Sequence, residues 1–218
     1  MIQPGFDDLS SGIASLYSRK LQDAKGFLER AASAYHLPAV PLSYLALAYR
    51  TLGDLDMARD ALSRAKDADD ACFEAYAADS AVWLTWKDLS RALAAWREAT
   101  RRKPHGLEGH FLNLLLFCLW AEALANSQEG PSGATLSFKL TPATRMAVLL
   151  LDGRFAEALD ATAPPGAPPP LWTLARGLAV YRSGDRTAAT RWLDAAAVLI
   201  DQPICAESFE AFKKAAAL

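Results

Sequence analysis

Residues 42–65 read LSYLALAYRTLGDLDMARDALSRA, and residues 76–99 read YAADSAVWLTWKDLSRALAAWREA. Set one above the other, the two stretches share a frame. Ala58, Leu62 and Ala65 return 34 residues later as Ala92, Trp96 and Ala99. Asp54 returns as Asp88, Leu55 as Leu89 and Tyr49 as Trp83. One period earlier, Ala24, Leu28 and Ala31 hold the same places. A fixed period in this range marks stacked supersecondary units, none of which can bury its apolar face alone. Apolar residues at helical spacing on both sides of Gly53 and Asp54 make each unit a helix hairpin. Glycine suits the left-handed residue that ends the first helix, and Asp54 or Asp56 suits the cap of the second.

Working outward, residues 7–36, 39–72 and 73–106 read as three hairpins. Lys87 takes the place of Gly53 in the third, a substitution that carries some backbone strain. Residues 107–125 open a fourth unit, with His110, Leu114 and Phe117 one period after Tyr76, Ser80 and Trp83. This stretch is apolar nearly all round, which calls for burial on several sides. No second helix follows it, because residues 126–140 carry the composition of an irregular loop. A loop of that length is either functional or disordered. Helical spacing resumes at Thr141, an N-cap ahead of Pro142, in a short hairpin over 141–162. The proline-rich run from Ala163 to Pro170 reads as an extended connector. A further hairpin over 171–203 turns at Gly184 and Asp185, and an amphipathic helix over 206–218, with Phe209 and Phe212, caps the last repeat. The reading groups residues 1–125 and 141–218 as two stacks joined by the 126–140 loop.

Composition narrows the functional classes. The 218 residues carry a net charge of −2, so no basic field invites nucleic acid or an anionic membrane. Cys72, Cys118 and Cys205 are odd in number and far apart, with no metal-ligand spacing, which points to a reduced, cytoplasmic setting. The first eight residues carry neither the basic start nor the apolar run of a secretory signal. The longest apolar stretch, 111–125, is interrupted by Asn113 and Glu122 and is too short to span a bilayer. Neither membrane insertion nor a cofactor or metal is expected. No G-x-S-x-G, H-E-x-x-H, phosphate-binding or dinucleotide fingerprint is present, so the chain reads as a non-enzyme.

The pattern resembles that of the tetratricopeptide repeat family, which runs W-x2-L-G-x2-Y, A-x3-F-x2-A, then P. Leu42, Leu45, Ala46, Tyr49, Ala58, Leu62 and Ala65 follow it without the closing proline. Tyr76, Trp83, Ala92, Trp96, Ala99 and Pro104 follow it more closely, although Asp79 and Ser80 replace its Leu-Gly pair. Gly177, Gly184, Ala189, Leu193 and Ala196 recover it near the C-terminus, while 5–38, 107–125 and 141–162 are degenerate. The resemblance implies an all-α fold, a right-handed superhelical array of antiparallel helix hairpins with a C-terminal capping helix. In such an array, small residues at Ala58 and Ala92 let the helices cross closely. Tyr49, Trp83 and Trp96 are expected to fill the space between repeats.

In this family the first helix of each hairpin lines a concave groove. Carried over by position, the resemblance implies a groove built from Tyr17, Tyr44, Leu47, Arg50, Ala81, Leu84, Phe111 and Leu115, with Ile13, Ala77 and Cys118 beside them. Family members that grip a C-terminal carboxylate carry lysine, asparagine and arginine on this face. Here those places hold Leu9, Ile13, Tyr44, Glu74 and Ala78, which argues against such a clamp. An apolar groove fits a hydrophobic peptide or an amphipathic helix. Two alternatives stand beside that reading. Leu136, Phe138 and Leu140, or the C-terminal half, fill the groove from within; or a second copy of the chain covers it as a homodimer. The expected function is a protein-interaction scaffold or adaptor with a protein or peptide partner. The alternatives are a dedicated chaperone for an aggregation-prone client and a self-associating assembly protein.

Other signals have plainer readings. The basic run from Arg101 to His105 places cations at a helix C-terminus, where the macrodipole favours them. Asp67, Asp69 and Asp70 lack the glycine and glutamate of a calcium loop and read as a solvated turn. His36, His105 and His110 read as structural. Cys118 reads as buried and inert. Trp86, off the repeat pattern and close after Trp83, packs at the hairpin turn or anchors a partner, and packing is the simpler of the two.

Overall fold

The computed structural model describes residues 4–125, 141–161, 163, 166–200 and 203–217. The 126–140 stretch, with Leu136, Phe138 and Leu140, lies outside the described residues, as do parts of the connector after Ala163. Among the described residues the chain is helical throughout, and its contacts divide it into two units, Met1–His105 and Gly106–Leu218.

The first unit holds three hairpins: α1 (Phe6–Tyr17) with α2 (Leu21–Ala34), α3 (Ala39–Leu52) with α4 (Leu55–Ala68), and α5 (Phe73–Thr85) with α6 (Leu89–Ala99). Between hairpins, α3 packs on α2 and α5, and α4 packs on α5. Each turn is built the same way. Arg19, Gly53 and Lys87, one period apart, take left-handed φ values of 58, 84 and 60°. The next residue donates its N–H back across six residues: Lys20 to the Ser15 carbonyl at 2.9 Å, Asp54 to Tyr49 at 2.9 Å, and Asp88 to Trp83 at 3.1 Å. These bonds close the ends of α1, α3 and α5 and satisfy carbonyls that the helix leaves open. Asp54 and Asp88 then cap α4 and α6, accepting from the backbone N–H of Met57 at 3.2 Å and of Arg91 at 3.0 Å. Each such cap stabilises its helix by about 1 kcal/mol.

The small residues of the repeat sit where the helices of a hairpin meet. Ala24, Ala31, Ala58, Ala65, Ala92 and Ala99 are fully buried. Gly12 lies so close to Leu28 that a Cβ there would stand 2.7 Å from its side chain. Of the aromatics expected between repeats, Tyr49 is buried, while Trp83 and Trp96 are half-buried. They lie at the rim of the packing rather than at its centre.

The second unit comprises α7 (Gly106–Ala125), α8 (Pro142–Leu151), α9 (Phe155–Leu159), α10 (Pro170–Arg182), α11 (Arg186–Leu199) and α12 (Pro203–Ala216). Periodicity groups α7 with the first stack. Its packing groups it with the second, where α8, α10 and α12 lie against it. The physical reason is its composition, since Phe111, Leu112 and every residue from Leu114 to Trp120 are buried. A helix with no polar face serves as the centre of a cluster, not as one edge of a stack. Thr141 caps α8, accepting from Thr144 N–H at 3.2 Å, and Asp185 caps α11, accepting from Ala188 N–H at 2.9 Å. The repeat's close approach returns between α10 and α11, where a Cβ on Gly177 would stand 2.8 Å from Leu193. Phe212 of α12 stacks edge-on against Tyr181 at 5.0 Å between ring centroids and lies 6.2 Å from Phe111.

Candidate interaction surface

The eight residues that the resemblance places in a groove are distributed over both units. Tyr17 comes from α1; Tyr44, Leu47 and Arg50 from α3; Ala81 and Leu84 from α5; Phe111 and Leu115 from α7. All but Leu84 are buried, and Leu84 is half-buried. Helix α3 is buried from Ala39 to Arg50 without a break. Arg50 shows why one of these residues is inaccessible. Its Nε donates to the Ala81 carbonyl at 3.1 Å and to Thr85 Oγ1 at 2.7 Å, so the guanidinium ties α3 to α5. Phe111 is covered by the Arg182 guanidinium, 3.9 Å from its ring centroid, and Arg182 is held in turn by Glu108.

A surface the repeat logic did not assign lies near the α5–α6 turn. Trp83 and Trp86 are half-buried, with ring centroids 4.8 Å apart and planes inclined at 60°. Arg59, exposed on α4, stands 5.8 Å from the Trp83 centroid and 5.3 Å from that of Trp86. Arg91, exposed on α6, lies 4.6 Å from Trp83. One period earlier the same contact is present, with Lys25 5.4 Å from the Tyr49 ring. Cations of α2 and α4 therefore cover an aromatic near the end of the next hairpin's first helix. Trp86 packs on Trp83 and keeps part of its ring in solvent. Arg91 pairs with Asp88 at 3.4 Å, whereas Arg59 has no ion pair among the described residues.

The plainer signals resolve as local structure. Arg102 donates to the Asp70 carbonyl at 2.9 Å and lies 3.7 Å from the Tyr76 ring centroid, and Arg101 pairs with Glu98. Asp69 Oδ1 accepts from Ala71 N–H at 2.9 Å within its turn. Cys118 is buried. In the second unit, α8 and α9 border an open cleft of about 680 Å³ lined by Thr141, Arg145, Leu149, Arg154, Glu157 and Asp160.

The structure also assembles a cluster that residue spacing conceals. Cys72, Glu74 and His105 bring a thiol, a carboxylate and an imidazole within 4.8 Å of one another. Helices α5 and α6 run antiparallel, so the residues just before α5 meet those just after α6. Their separation of nearly one repeat is the signal that sequence reading missed. Glu74 is fully buried; its Oε1 accepts from His105 N–H at 2.6 Å, and its Oε2 lies 2.9 Å from His105 Nδ1. Burial, and then the Glu74 charge, push the Cys72 thiol up to about 12. A thiol in that condition stays protonated at neutral pH and is a poor nucleophile. The hydrogen bond to Glu74 raises the His105 imidazole against the smaller opposing effect of burial.

Turns, caps and side-chain contacts that recur at one period, with paired helices in the second unit, define an α-helical repeat protein of antiparallel hairpins. Among the described residues no helix is long and apolar enough to cross a membrane. The chain is similar to the crystal structure of a tetratricopeptide repeat protein from Parabacteroides merdae ATCC 43184, with a TM-score of 0.39 and 13% identity over 98% of this chain and 89% of that one. No family model and no curated protein matches the sequence.

Proposed function

We propose that this chain is a non-enzymatic protein-interaction scaffold or adaptor whose contact surface is centred on Leu84, Trp83 and Trp86 and edged by Arg59 and Arg91. The observation that carries this reading is differential burial. Of the eight candidate contact residues Leu84 alone is not buried, and beside it in the chain two tryptophans keep exposed ring area under arginine. Tryptophan and arginine dominate the residues that hold protein interfaces together. An apolar patch edged by cations fits an amphipathic helix or peptide with acidic residues along one border of its apolar stripe.

The test starts from a partner recovered with the wild-type chain. Leu84→Asp and Trp86→Ala are each expected to weaken its capture at least about tenfold, as loss of a central interface anchor does, with helicity unchanged by circular dichroism. Arg59→Glu is expected to slow association and reduce its salt dependence. If a folded Leu84→Asp variant binds normally, this surface is not the site.

A further inference from the structure

We propose that Cys72, Glu74 and His105 form a binding site for a transition-metal dication of the zinc class. This goes beyond the interaction reading and does not rest on it. Two hydrogens of the cluster converge on one carboxylate oxygen. The Cys72 thiol donates to Glu74 Oε2 at 3.4 Å, and His105 Nδ1 lies 2.9 Å from the same oxygen. A tetrahedral zinc ion, with bonds of about 2.3 Å to sulfur and about 2.0–2.1 Å to nitrogen or oxygen, holds its ligand atoms roughly 3–4 Å apart. The sulfur–oxygen and nitrogen–oxygen pairs already stand near those separations, and all three donor atoms lie within 4.8 Å of one another.

The donor set selects the ion. Thiolate and imidazole suit zinc and its neighbours, whereas calcium and magnesium take oxygen ligands. Binding exchanges protons for metal. The ion forms a bond to Sγ as the thiol proton leaves to solvent. His105 gives up its Nδ1 hydrogen to solvent, carries its remaining hydrogen on Nε2 and offers the freed Nδ1 lone pair, and Glu74 turns an oxygen from hydrogen-bond acceptor to ligand. Thiolate and carboxylate together cancel the two positive charges, so no net charge is buried. Access follows from exposure: Cys72 and Glu74 are fully buried, but the His105 side chain is 42% exposed. The ion enters from the His105 side, where a fourth ligand position faces water. The supporting contacts are already set. His105 N–H holds Glu74 Oε1 at 2.6 Å, and Arg102 Nε holds the Asp70 carbonyl at 2.9 Å. These bonds fix the chain on both sides of the site, the role that outer hydrogen bonds play around metal ligands. A bound ion would clip the start of α5 to the chain after α6 and so stabilise the third hairpin.

The test uses the full chain, stripped of metal and titrated with Co²⁺ and then Zn²⁺. One Co²⁺ per chain is expected, with a thiolate-to-cobalt charge-transfer absorption that Zn²⁺ abolishes by displacement. Zn²⁺ is expected to raise the thermal midpoint, and Mg²⁺ is not. Cys72→Ser removes the charge-transfer absorption. His105→Gln, at an exposed position compatible with folding, weakens uptake by at least about tenfold and removes the midpoint shift. Cys118→Ala and Cys205→Ser leave both signals in place. Failure of the wild-type chain to take up Co²⁺ stoichiometrically overturns the site. So does an absorption that survives in a folded Cys72→Ser variant, or cobalt uptake that is not weakened in a folded His105→Gln variant. The three residues are then a hydrogen-bonded tie and nothing more.

Discussion

Gly177 shows how closely the hairpin helices approach. A Cβ at this position would stand 2.8 Å from Leu193 Cδ2 and 3.2 Å from Trp192 Cβ. Leu193 is fully buried and has nowhere to retreat. Gly177→Val is therefore expected to destabilise the chain by about 1–3 kcal/mol through overpacking, read as a lower midpoint in urea. Arg50 is the polar counterpart. It is buried, and its Nε bonds two groups on α5. Arg50→Ala removes charge-assisted hydrogen bonds worth about 1.5–3 kcal/mol, and thermal unfolding should report a loss in that range. If Arg50 were instead a surface anchor, the change would scarcely move the midpoint and would act on partner binding alone.

At the scale of the helix, the repeated unit is a turn as much as a pair of helices. The left-handed residue, the backward hydrogen bond and the aspartate cap recur at 53–54 and 87–88, and the left-handed residue and backward bond alone at 19–20. Lys87, like Arg19, is a strained member, because a left-handed conformation costs a non-glycine residue about 1–2 kcal/mol. Glycine removes that strain but loses about 0.5–1 kcal/mol in backbone entropy. Lys87→Gly is thus expected to stabilise the chain by about 0.5–1 kcal/mol, visible as a raised denaturant midpoint with an unchanged slope. Much of this level was legible beforehand. Gly53, Asp54, Lys87, Thr141 and Asp185 act as turn chemistry requires, because those requirements are met within a few residues of chain. The burial of α7 was legible too, but its neighbours were not. An all-apolar helix records that it must be covered and gives no direction.

At the scale of the molecule, the first unit contains three complete hairpins, the number at which stacked units bury a continuous core. A fragment ending at His105 is expected to stay helical and to unfold in one cooperative transition, followed by circular dichroism in urea. A fragment that melts without a transition would show that its core needs the second unit. The candidate surface was legible only in part for a related reason. Position in a repeat says which residues face inward, but exposure depends on everything that packs nearby. Tyr44, Leu47 and Arg50 took inward places and became core, while Leu84 did not. Trp86, off the repeat pattern, gained its setting from Arg59 on another hairpin.

Residue spacing alone was enough to establish the helices, their pairing into hairpins and the chemistry of their turns, since each depends on neighbours within one period of the chain. Only packing in three dimensions assigned α7 to the second unit, buried the expected groove residues and placed Cys72, Glu74 and His105 together. Those outcomes depend on which surfaces meet after the hairpins form, and an apolar or polar face carries the need for a partner without naming it.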